Sequence, residues 1–201
     1  MSPQPENPLA TEAAEPLPFS QEERAELLRL AHAAIDTALA GHKPELSSVS
    51  PRLLEPRGAF TTLHLDCNLR GCVGYVYPVK PLYRTVAETA VAAAFNDTRF
   101  APVTAEEAGR LKIEISVLSP ILPIDPEDIQ VGRHGLVITL GSRRGLLLPQ
   151  VAEEFGWDAP TFLAETCHKA GLPLDAWERG AVIEAFTAEV FHEEGFLTAG
   201  K

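Results

Sequence analysis

From Leu111 to Ser119 apolar and polar residues alternate without a break. Leu111, Ile113, Ile115 and Val117 fall on one side, and Lys112, Glu114 and Ser116 on the other. A period of two puts successive side chains on opposite faces of a strand, so this stretch predicts one buried and one wetter face. Half-burial of that kind fits an antiparallel or mixed sheet, because strands of an all-parallel sheet are covered on both faces and read as continuous apolar runs. Pro120 and Pro123 end the strand.

Helical periods frame it. Ser20 with Glu23 forms a capping-box pattern, and Leu27, Leu28, Ala31, Ala34, Ile35 and Ala38 follow as one apolar stripe, with Gly41 suited to a left-handed stop. Leu82, Val86, Ala90, Val91, Ala94 and Phe95 predict a helix over 82–95. Further helices are expected over 149–155 and 159–170, stopped by Gly156 and Gly171. Residues 42–57, with Pro44, Pro51 and Pro56, read mainly as loop.

Strands are expected over 59–65 and 69–77, joined as a hairpin by Asp66-Cys67-Asn68. Another pair is expected over 135–140 and 145–148. Val182 to His192 fits a helix through Val182, Phe186 and Val190, or one strand face through those residues and Ala188; the strand is preferred. Elements grouped in blocks predict an α+β fold of mixed or antiparallel sheets with flanking helices, not a doubly wound sheet.

At 201 residues, 45% of them hydrophobic, the chain suits one domain or two small lobes sharing a core. Residues 1–19 hold five prolines and Glu6, Glu12 and Glu15 with no basic residue, which predicts a mobile acidic tail. The domain is expected over 20–194, with 195–201 as a C-terminal tail. No run approaches the roughly 20 apolar residues that span a bilayer, and a net charge of -11 disfavours a long nucleic-acid duplex as partner. Cys67, Cys72 and Cys167 are too few for a disulfide scaffold, and prolines interrupt the segment where a secretory signal would lie. A cytoplasmic protein is expected.

The most unusual local sequence is Leu69-Arg70-Gly71-Cys72-Val73-Gly74. Glycine weakens a strand unless a close approach requires it, and an arginine beside a thiol favours the thiolate. Cys72 is therefore a candidate nucleophile with Arg70 as charge clamp, and Gly71 and Gly74 would leave room for a ligand. The competing reading makes Cys72 a small buried hydrophobe. His134, in Gly132-Arg133-His134-Gly135, is a candidate proton-transfer residue, and His64 could reach a neighbouring strand carrying Cys72. Arg57, Arg70, Lys80 and Arg84 face only Asp66 within 57–84, while 129–152 holds Arg133, Arg143 and Arg144 and no acid. If these segments converge, they form a positive cleft for a small anion. Asp97-Thr98-Arg99-Phe100 reads as a structural helix exit. No metal-ligand spacing, phosphate loop or GxSxG elbow is present, so neither a metal nor a cofactor is expected.

Gly58-Ala59-Phe60, the 69–74 motif, Asp97-Thr98-Arg99-Phe100 and Ile115-Ser116-Val117-Leu118-Ser119-Pro120 occur in order. They are followed by Gly132-Arg133-His134-Gly135-Leu136, Leu148-Pro149-Gln150-Val151-Ala152, Lys169-Ala170-Gly171-Leu172 and Trp177. This ordered set resembles the AMMECR1-domain family, including prokaryotic members called AmmeMemoRadiSam system protein A, over roughly Ser20 to Glu194. The resemblance implies two unequal lobes, the larger assembled from both ends of the chain, and a cleft whose wall includes the Leu-Arg-Gly-Cys motif. It also implies a pathway shared with Memo-like and radical-SAM proteins, without naming a reaction. Val73 stands where isoleucine is typical, Thr98 where proline is usual, and Asp66-Cys67-Asn68 replaces a glycine-containing turn.

Two functions follow as expectations. In one, an enzyme or processing factor handles a small anionic or nucleotide-like substrate, with Cys72, Arg70 and His134 as catalytic residues and Gly71, Gly74, Arg133 and His64 contacting substrate. In the other, a non-catalytic adaptor captures an acidic protein segment or an RNA end. RNA has the weaker support, because stacking aromatics and a KH-type glycine loop are missing.

Overall fold

The computed structural model describes residues 18–42, 47 and 50–193. Residues 1–17 of the expected N-terminal tail, and the expected C-terminal tail 195–201, lie outside the described residues. Helix α1 (Gln21–Leu39) opens on the expected capping box: Ser20 Oγ accepts the Glu23 N–H, and the Glu23 carboxylate accepts the Ser20 N–H. It buries Leu27, Ala31, Ala34 and Ile35. Strands β1 (Ala59–Leu65) and β2 (Asn68–Tyr75) form the expected hairpin. Its turn is two residues long, with Asp66 and Cys67 both at positive φ (50° and 65°), the geometry that fits the strands' own twist.

Then follow α2 (Leu82–Phe95), a single turn α3 (Ala105–Ala108) and β3 (Lys112–Leu118). The second half contains β4 (Leu122–Pro123), β5 (Gly135–Leu140), β6 (Arg143–Leu147), α4 (Pro149–Phe155), α5 (Ala159–Lys169), β7 (Val182–Phe186) and β8 (Ala188–His192).

Two antiparallel four-stranded sheets result, ordered β2-β1-β3-β8 and β4-β7-β5-β6. The fold is α+β. In the larger lobe, α1 and α2 cover one face of the first sheet over a core of Leu27, Ile35, Leu63, Val86, Ile113 and Ile115. In the smaller, the second sheet encloses Leu136, Ile138, Phe162, Leu163 and Cys167. Leu118, Val137 and Phe186, with Phe60 and Ala188, fill the joint between them. Ile113, Ile115 and Val117 are buried as the alternation requires. Among the described residues no helix is long and apolar enough to cross a membrane.

The stretch 182–192 is strand, but not one face of one strand. It breaks at Thr187 into β7, paired in the second sheet, and β8, paired in the first. Val182 and Val190 are exposed, whereas Ala185, Phe186 and Phe191 are buried. The chain passes between lobes here and again after β3. The two crossings are tied together: the Ser119 N–H donates to the Thr187 carbonyl at 2.9 Å, and the Thr187 N–H donates to Ser119 Oγ at 2.9 Å.

The tail boundary also moves. Phe19 is buried in the larger core, its N–H donates to the Glu189 carboxylate, and the Arg52 guanidinium lies over its ring at 4.4 Å. A deletion ending at residue 17 is expected to leave the melting temperature nearly unchanged. A deletion ending at 19 also removes the buried Phe19 side chain, worth about 2 kcal/mol, and should lower the melting temperature by about 4–8 °C. Scanning calorimetry on both truncations separates the two boundaries.

Candidate functional site

A cleft of about 560 Å³ opens between the lobes. Arg24 of α1, Arg52 and Arg57 of the segment before β1, and Arg133 of the turn before β5 reach it from three places in the chain. Glu189 is the one carboxylate among its lining residues; Ser119, Gln150 and Thr187 add neutral polar groups, and Phe19, Leu118 and Val190 add apolar surface. Each arginine is positioned by a neighbour. Arg24 Nε donates to Glu189 at 3.0 Å, Arg52 to the Pro18 carbonyl at 2.9 Å, Arg57 to Glu55 at 2.9 Å and Arg133 to the Gln130 side chain at 2.9 Å. The two basic segments thus meet in part, through Arg57 and Arg133. Arg144 stacks over Tyr77 at 4.4 Å, a second contact between them.

Cys72, Arg70, His64 and His134 are not among the residues that line this cleft. Cys72 and His64 stand on the open face of the first sheet, away from its helices. Cys72 faces Thr62 across the β1–β2 ladder, and Glu114 faces Thr62 on the other side. Thr62 Oγ1 donates to Cys72 Sγ at 3.2 Å. Burial pushes the His64 imidazole below its ordinary range, against a smaller upward pull from Glu114, and so favours the neutral ring. His64 and Cys72 thus share a face, but Thr62 stands opposite Cys72 and Leu69 opposite His64. His134 lies apart from them; its N–H donates to the Gln130 carbonyl and its Nδ1 accepts the Gln130 N–H at 3.2 Å, closing the turn.

Arg70 is not a clamp on Cys72. It binds Glu107 of α3 through two nitrogens, at 3.1 and 3.0 Å, because β2 bulges at this residue and turns the side chain toward the 102–107 segment. Glu107 is held at about 2, first by the Arg70 side chain and then by the Thr104 N–H. Nor do the glycines leave ligand space. A Cβ on Gly71 would lie 2.2 Å from the Ala93 carbonyl of α2, and one on Gly74 would lie 2.2 Å from the Phe60 ring. Both spaces are filled by the protein itself, one for helix packing and one for the joint.

Besides Thr62, the side chains that touch Cys72 come from the motif read as a helix exit, and they meet its backbone. Asp97 Oδ2 accepts the Cys72 N–H at 2.9 Å, Arg99 reaches the Cys72 carbonyl at 3.4 Å, and Arg99 and Asp97 pair at 2.6 Å. Hydrogen bonds from Arg99, then from Cys72, hold the Asp97 carboxyl far below the usual carboxylate range. The hydrogen bond to Asp97 in turn strengthens the attachment of the Arg99 proton. Among the described residues no group of His, Cys, Asp or Glu side chains could hold a metal ion.

Arg24 and Arg52 went unsuspected: Arg24 lies in the first predicted helix outside its apolar stripe, and Arg52 in the stretch read mainly as loop. The useful signal for Asp97 and Arg99 was their place in the ordered motif set, which a helix exit alone does not demand.

Glu107→Gln is expected to cost about 3 kcal/mol at neutral pH, since it leaves the mostly buried Arg70 without its counter-charge. A carboxylate with a depressed folded pKa stabilises above its ordinary value near 4.5 and loses that contribution as pH falls toward about 2. Urea titrations across that window should show wild type and variant converging. For Cys72, timed iodoacetamide labelling should slow by about threefold or more in Arg99→Ala, which removes the nearby cation, and change little in Arg70→Ala. The reverse order would restore Arg70 to the thiol's environment.

A family model described as AMMECR1 matches residues 28–191. A protein of Methanothermobacter thermautotrophicus is 44% identical over 188 residues, covering 89% of this chain and 98% of its own length. Protein MJ0810 of Methanocaldococcus jannaschii is 44% identical over 176 residues, covering 83% and 88%. The crystal structure of PH0010 from Pyrococcus horikoshii superposes with a TM-score of 0.70 at 43% identity, covering 84% of this chain and 90% of that one. With the motifs, two-lobed fold and extent of these matches in agreement, the chain belongs to the AMMECR1 family.

Proposed function

We propose that this protein binds a small anionic ligand of nucleotide-like size in the cleft between its lobes. One observation carries the reading: four arginines from three separate chain segments, drawn from both lobes, line one cavity whose lining residues include a single carboxylate. Guanidinium groups present planar, paired donors that match carboxylate and phosphate oxygens. The apolar part of the wall suits a ligand with a non-polar body, and a volume of about 560 Å³ lies within the range of small-molecule sites. Because Arg57 and Arg133 approach from different lobes, a ligand held by both would favour one relative setting of the lobes.

In this reading the anion is processed or delivered in the cytoplasm, in the pathway of Memo-like and radical-SAM proteins that the motif resemblance implies. Cys72 is a separate feature of the first sheet's open face and takes no part in anion binding.

Calorimetric titration with pyrophosphate and with ADP tests the proposal. Binding is expected for at least one, with Arg133→Ala and Arg57→Ala each weakening it by about tenfold or more, the loss of one charge-assisted contact. Unchanged melting temperatures would show that the variants stay folded. Failure of both probes to bind wild type, or affinities indifferent to both substitutions, would overturn the reading.

A further inference from the structure

We infer that the outer side of β8 docks one extended segment of a partner polypeptide, which enters the cleft and adds a fifth strand to the first sheet. The inference goes beyond the anion-binding reading and does not rest on it. β8 is the outermost strand on the side opposite β2, and its Ala188, Glu189 and Val190 line the cleft. In an antiparallel ladder alternate residues turn their N–H and C=O to opposite neighbours. The Leu118 N–H donates to the Gly58 carbonyl at 2.9 Å, so even-numbered residues of β3 face β1. Odd-numbered ones face β8, as the Ser119 N–H does in reaching Thr187. Val117 stands opposite Glu189 and Ile115 opposite Phe191. Glu189 and Phe191 therefore close the ladder, and Ala188 and Val190 turn their peptide groups out of the sheet. Among the described residues those outward groups have no hydrogen-bond partner, and Val190 is 45% exposed.

Two successive outward positions make an incomplete ladder, and an extended backbone is the chemistry that completes it, exchanging two bonds at each position. Charge does not select the occupant. Arg24, Arg52 and Arg57 already face Glu189, Glu23 and Glu55 at 2.9, 3.4 and 2.9 Å, and backbone pairing asks no net charge of a partner. The walls select a slender one. Ala188 and Val190 are reached inside a cleft of about 560 Å³ between two lobes, a space in the range of small-molecule sites. A single strand enters it, and the edge of a second folded sheet does not.

Register then sets the segment's side chains. Antiparallel addition is the slightly more stable pairing. In it, residues opposite Ala188 and Val190 share their face of the sheet and favour β-branched apolar side chains. The residue between them stands opposite Glu189, whose carboxylate already accepts from Arg24 and the Phe19 N–H. A short hydroxyl side chain there leaves that network in place. The segment is thus apolar, hydroxyl, apolar, as in Val-Thr-Val.

The probe is the capped peptide acetyl-Ser-Val-Thr-Val-Ser-amide, titrated into the full chain and followed by backbone amide NMR. The Ala188 and Val190 amides are expected to shift, and solvent exchange of the Val190 amide to slow by about tenfold, the worth of one hydrogen bond. Val190→Pro removes that outward N–H and breaks no ladder bond, since an edge strand tolerates proline where the nitrogen faces out. It should weaken the peptide by about fivefold or more at an unchanged melting temperature. A second arm leaves the protein untouched. N-methylation of either peptide valine should weaken binding by about fivefold or more, and N-methylation of the threonine, whose N–H points away from β8, by less than about twofold. Three results each overturn the inference and leave the anion reading standing: no shift at Ala188 and Val190 with low-millimolar peptide, binding indifferent to the methyl's position, or unchanged binding to a folded Val190→Pro. Protection of the Val190 amide that grows with protein concentration in the absence of peptide overturns the peptide as occupant in favour of a second copy of this chain.

Discussion

The exchange between Ser119 and Thr187 is the contact on which the two-lobed arrangement rests. The chain leaves the larger lobe after β3 and returns between β7 and β8, and at those two places each residue donates its backbone N–H to the other. Leu118, Val137 and Phe186 seal the apolar side of the junction. Ser119 and Thr187 also belong to the cleft wall, so the bonds that set the angle between lobes lie beside the arginines whose spacing depends on that angle. A lobe rotation would separate Arg133, carried by the smaller lobe, from Arg24, Arg52 and Arg57, carried by the larger.

Two polar regions grow from this frame and have different physical characters. The cleft gathers long, charged side chains against scattered apolar surface, an arrangement that attracts charge from a distance. The open face of the first sheet holds short groups in fixed register, Cys72 beside Thr62 and Thr62 beside Glu114, where cross-strand spacing sets the contacts. Arg70 belongs to neither region. Its two bonds to Glu107 fasten α3 to the hairpin.

The fold was largely legible because its signals are local. Alternation placed Ile113 and Ile115, the capping box placed the start of α1, and the 82–95 period placed α2 to the residue. What could not be read was the change of sheet at Thr187, since strand periodicity carries no record of which sheet a strand joins. The site was less legible for the same reason. Arg57 and Arg133 were suspected from charge runs, but Arg24, Arg52 and Glu189 meet only through tertiary structure. The motif at 69–74 suggested roles for Arg70, Gly71 and Gly74 that their contacts do not fit, and it lies on a strand that does not line the cleft. A bulge redirects the arginine, and the glycines answer to the α2 backbone and the Phe60 ring.

The contacts around Cys72 have a consequence for the molecule in company. β2 is the free edge of its sheet, and an uncovered edge strand is a template on which another chain can extend the ladder. At Cys72 the Asp97 carboxylate takes the outward N–H and the Arg99 guanidinium reaches the outward carbonyl, as a neighbouring peptide would. The ion pair is a counterfeit strand one residue long. Because the Asp97 carboxyl stays ionised well into acid, the counterfeit persists under conditions that discharge ordinary carboxylates. In concentrated solution, the peptide at Cys72 is already occupied when a neighbour meets this edge.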